Sequence, residues 1–119
     1  MRILWLYTYL ESYCFDEWLH LDFAAYFNKI GVDLIMYGPN IHLKYPQYTP
    51  IPYNENTTME ELYKQLKFDV IILNTKSRMF TYYDPFNKIQ RGCILPKDFN
   101  ECKIPKIMIE EEEDSFHLM

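Results

Sequence analysis

Residues 68–78 read Phe68-Asp69-Val70-Ile71-Ile72-Leu73-Asn74-Thr75-Lys76-Ser77-Arg78, and this stretch decides the fold. Four consecutive apolar residues, Val70 to Leu73, stop abruptly at an amide, two hydroxyls and two cations. A short unbroken run of branched aliphatics suits a strand buried on both faces, as in a parallel sheet covered by helices. Open parallel sheets bind their ligands just beyond the carboxyl ends of the strands, which is where Asn74, Thr75, Lys76 and Arg78 fall.

Working outward, the other segments alternate in the same way. Residues 2–7, RILWLY, read as strand one, and a helix is expected from about Asp16 to Ile30. Leu19, Phe23, Phe27 and Ile30 share one stripe, the acids Asp16 and Glu17 sit in its first turn, and Gly31 stops it. Val32–Tyr37 reads as strand two, closed by the turn Gly38-Pro39-Asn40. Residues 41–56, rich in Pro and Tyr, read as a loop. A second helix is expected from Thr57 or Thr58, because both Thr57-x-x-Glu60 and Thr58-x-x-Glu61 fit a capping box. Its inner stripe is Met59, Leu62 and Leu66, and strand three follows from Asp69 to Asn74. Residues 75–103 read as a second irregular region, with one helical turn at 96–99. Strand four is Ile104–Glu110, with Pro105 confined to its opening. The expected fold is α/β and Rossmann-like: a short parallel sheet of about four strands, order 2-1-3-4, with helices on both faces, in a single domain over 1–119.

Composition narrows the functions. With 49% hydrophobic and 24% charged residues the chain reads as globular, and a net charge of −5 disfavours nucleic acid as a partner. No apolar run approaches the roughly 20 residues that cross a bilayer, so no membrane span is expected. Cys14, Cys93 and Cys102 lack CxxC or Cys/His spacing and read as free thiols, which together with the missing signal peptide gives a cytoplasmic expectation. The three glycines form neither GxGxxG nor a Walker loop, so a cofactor of the Rossmann dinucleotide type is not expected, and no other cofactor is expected either.

The order 2-1-3-4 sets the end of strand one beside the end of strand three. Tyr7, Thr8 and Tyr9 would then meet Asn74, Thr75, Lys76 and Arg78, a set suited to a sugar or a sugar phosphate. The plainer reading of Lys76 and Arg78 is solvated loop cations. His20, early in the first helix, could serve as a base, against the plainer reading of a satisfied helix histidine. His42 lies in the Tyr/Pro loop without an evident partner. Glu110 to Asp114 with His117 invites a metal reading, but neighbouring strand residues face opposite ways, so no metal site is expected and only Glu110 or Glu111 could reach the groove. Eleven Tyr, eight Phe and two Trp, 18% of the chain, either pack loops onto the core or line a binding surface.

The succession RILWLY, HLDFAAYFNKIGVDLIMYGP, FDVIILNTKSR and IPKIMIEEE resembles the N-terminal domain of GT-B-type glycosyltransferases over nearly the whole chain. The helix-to-strand turn NKIGVDLIMYG carries Val32 where that family usually has His, and Phe68 stands for the Pro of its P-D-V-I strand. The resemblance implies an acceptor-binding domain facing a second, nucleotide-sugar-holding domain, with His20 corresponding by position to a family base. These 119 residues do not include that second domain. The expectation is therefore a truncated domain, a subunit with a partner, or a relative reused for binding. The rival expectation is a non-catalytic interaction module using loops 41–56 and 75–103. Uncovered sheet edges predict a homo-oligomer under either reading. A flavodoxin- or receiver-like small domain is a third reading, and the latter would want paired acids after strand one, where only Glu11 stands.

Overall fold

A computed structural model describes residues 1–7, 25–74, 82–84, 87–91 and 95–109. Strands β1 (Arg2–Leu6), β2 (Asp33–Tyr37), β3 (Val70–Asn74) and β6 (Lys106–Ile109) form one parallel sheet in the order β2-β1-β3-β6. This is the expected 2-1-3-4 arrangement. The register pairs Leu4 with both Ile35 and Ile71, and Leu6 with both Tyr37 and Leu73.

The two faces of the sheet follow from the alternation of side chains. Leu4, Leu6, Ile35, Tyr37, Ile71 and Leu73 point to one face, where α3 (Met59–Leu66) covers them with Met59, Leu62 and Leu66. Ile3, Trp5, Leu34, Met36 and Ile72 point to the other, against Ile41 of α2 (Ile41–Lys44), Tyr45, and Phe27 of α1, helical over 25–29. Ile71, Ile72 and Leu73 are all less than 5% exposed, so the aliphatic run of β3 is buried from both sides.

Helix α3 shows how local chemistry sets an element. Thr58 is its N-cap, accepting from the Glu61 N–H at 3.2 Å, which decides between the two possible capping threonines. Glu60 and Glu61 oppose the positive end of the dipole, and Lys67 ends the helix in a left-handed conformation with its N–H on the Tyr63 carbonyl. Burying Met59, Leu62 and Leu66 contributes about 1.5–3 kcal/mol each before the entropy of ordering them.

At the end of α1, the Gly31 N–H donates to the Asn28 carbonyl and the Val32 N–H to the Phe27 carbonyl, a Schellman closure. Gly31 is left-handed at φ 79°, as the stop requires. This corrects the expected inner stripe: Ile30 occupies the cap and is 53% exposed, whereas Phe27 packs inward. Leu19 and Phe23 lie outside the described residues.

Two irregular regions contain more structure than expected. Residues 41–56 include α2 and a 3-10 turn over Pro46–Tyr48. Within 75–103, β4 (Tyr82–Asp84) and β5 (Ile89–Arg91) pair antiparallel as a hairpin. Three-residue strands are too short for their alternation to be read against loop sequence. The expected turn at 96–99 is present, closed by the Phe99 N–H on the Pro96 carbonyl.

The amino ends of the strands are stapled by Arg2. Its Nε donates to Asp33 at 2.7 Å, its backbone N–H to Asp69 at 2.8 Å, and its guanidinium to the Leu66 carbonyl. The Arg2–Asp33 pair is solvent-exposed and worth at most about 1 kcal/mol, so its main effect is to hold register across β1 and β2.

Candidate functional site

The hydrogen-bonded pairing of β1 with β3 brings Leu6 level with Leu73, so the chain leaves the sheet at Tyr7 and at Asn74 side by side. From β1 the connection goes to β2 on one side, and from β3 to β6 on the other. This divergence is the switch point of an open parallel sheet, the position at which such folds generally bind their ligands.

Tyr7 is held by two contacts. Its N–H donates to the Tyr37 carbonyl at 3.1 Å, and its own carbonyl lies against Gly38. A Cβ on Gly38 would sit 1.7 Å from that oxygen, so only glycine permits this approach of the two strand ends. The Tyr7 ring is 4% exposed and belongs to the cluster of Trp5, Ile41 and Tyr45. Tyr7, expected to shape the floor of the site, supports the strand end from within the core. The backbone of Asn74 ends β3, paired with Ile109. Thr8, Tyr9, His20, Thr75, Lys76, Arg78 and Glu111 lie outside the described residues.

The tyrosines of 41–56 turn inward. Tyr45 is 2% exposed, Tyr48 packs on the cluster around Trp5, and Tyr53 packs on the cluster around Leu62 with its ring 5.4 Å from that of Tyr37. The Tyr37 hydroxyl donates to the Asn54 carbonyl and accepts from the Asn54 N–H, clamping the segment over the carboxyl end of β2. The exposed residues of 41–56 are instead Pro46, Pro50, Pro52 and His42, among others.

A groove of about 410 Å³ lies between α3 and residues 98–104, lined by Met59, Tyr63, Cys102 and Ile104 with Glu60, Asp98 and Glu101. Asp98 is its structural centre. One carboxylate oxygen accepts from the Met59 N–H at 2.7 Å and the other from the Glu60 N–H at 3.3 Å. Together with Thr58, it occupies the first N–H groups of α3, so this helix start is satisfied by the protein's own acid rather than open to a bound anion. Nothing in the local sequence announces this cap, because it comes from 39 residues away. Among the described residues no three His, Cys, Asp or Glu side chains gather to hold a metal, and no helix is long and apolar enough to cross a membrane. Cys102 is a half-buried free thiol.

No protein-family model matches the chain, no curated protein matches its sequence at a significant level, and no solved structure matches its fold at that level.

Proposed function

We propose that the chain is a glycosyltransferase-like N-terminal domain of the GT-B type that binds a hydroxylated acceptor or a small anionic ligand, such as a sugar or sugar phosphate, beyond the carboxyl ends of β1 and β3. The observation that carries the reading is the adjacency of those two ends at a switch point, Leu6 level with Leu73. The sequence continues from one end as Thr8-Tyr9 and from the other as Thr75-Lys76-Ser77-Arg78. In this role Asn74 and Thr75 hydrogen-bond ligand hydroxyls, Lys76 and Arg78 meet negative charge, and His20 is the candidate base. Arg2, Asp33 and Asp69 tie the amino ends of β1, β2 and β3 together, at the end of the sheet away from the proposed site.

The test is calorimetric titration with sugars, sugar phosphates and nucleotide sugars, on the wild type and on Lys76→Ala/Arg78→Ala. Binding of a phosphorylated sugar that falls at least tenfold in the double variant supports the reading. No heat from any of these ligands removes it.

The second reading, a non-catalytic interaction module, is favoured by the apolar edge of β6, where Ile107 and Met108 are 51% and 42% exposed.

A further inference from the structure

We draw no further inference here: the strongest candidate, the groove between α3 and residues 98–104 lined by Met59, Tyr63, Cys102 and Ile104, carries nothing, because Glu60 and Asp98 on its rim are already engaged by Lys64 and by the first N–H groups of α3, and nothing in the structure shows what covers its apolar lining.

Discussion

The hydroxyl of Tyr37 closes a two-way hydrogen bond with the backbone of Asn54, donating to its carbonyl at 3.1 Å and accepting from its N–H at 2.9 Å. One side chain thereby holds residues 51–56 over the end of β2 and orders the approach to α3. Removing the hydroxyl leaves two partly buried backbone groups without this partner. Tyr37→Phe should cost about 1–3 kcal/mol in urea unfolding, while the sheet persists by circular dichroism. A loss under about 0.5 kcal/mol would mean that water replaces the clamp without penalty.

Gly38 makes a sharper prediction. Its φ of 155° and the 1.7 Å approach of a Cβ to the Tyr7 carbonyl leave no room for any side chain. The obstruction is backbone, which cannot rotate away. Gly38→Ala should destabilise by about 3 kcal/mol or more, measured by thermal or urea unfolding, because β1 and β2 must part at their carboxyl ends. Gly31→Ala should cost less, about 1 kcal/mol, since that site is strained but open.

Asp98 caps α3 from the far side of β3 in sequence, so its removal tests a tertiary rather than a local contact. Asp98→Ala should cost about 1–2 kcal/mol, and Thr58→Ala about 1 kcal/mol. Hydrogen exchange should quicken in the first turn of α3 in both variants. Unaltered exchange in Asp98→Ala would show that the cap carries no weight in solution.

These residues mark how far sequence reading reaches. The β3 run, the Gly31 stop and a capping threonine at 57 or 58 were legible because each depends on neighbours in sequence, through periodicity, a left-handed turn or a cap three residues away. Strand order followed from α/β alternation. The Tyr37–Asn54 clamp, the Asp98 cap and the Gly38–Tyr7 contact were not legible, since each joins positions between 17 and 39 residues apart that only the fold brings together. Tyrosines gave the weakest signal: the same residue type serves a core, a clamp or a surface. Tyr7, Tyr37 and Tyr45 went to the core. At the candidate site, the meeting of the two strand ends was legible, because it follows from strand order alone.

The proposed recognition site lies where β1 and β3 end. Amide chemical-shift mapping during titration with a sugar phosphate locates binding residue by residue. Perturbations are expected at Tyr7, Asn74 and the residues that follow each, with Arg2, Asp33 and Asp69 at the opposite end unmoved. Perturbations centred on Arg2, Asp33 and Asp69, or none at saturating ligand, would contradict it.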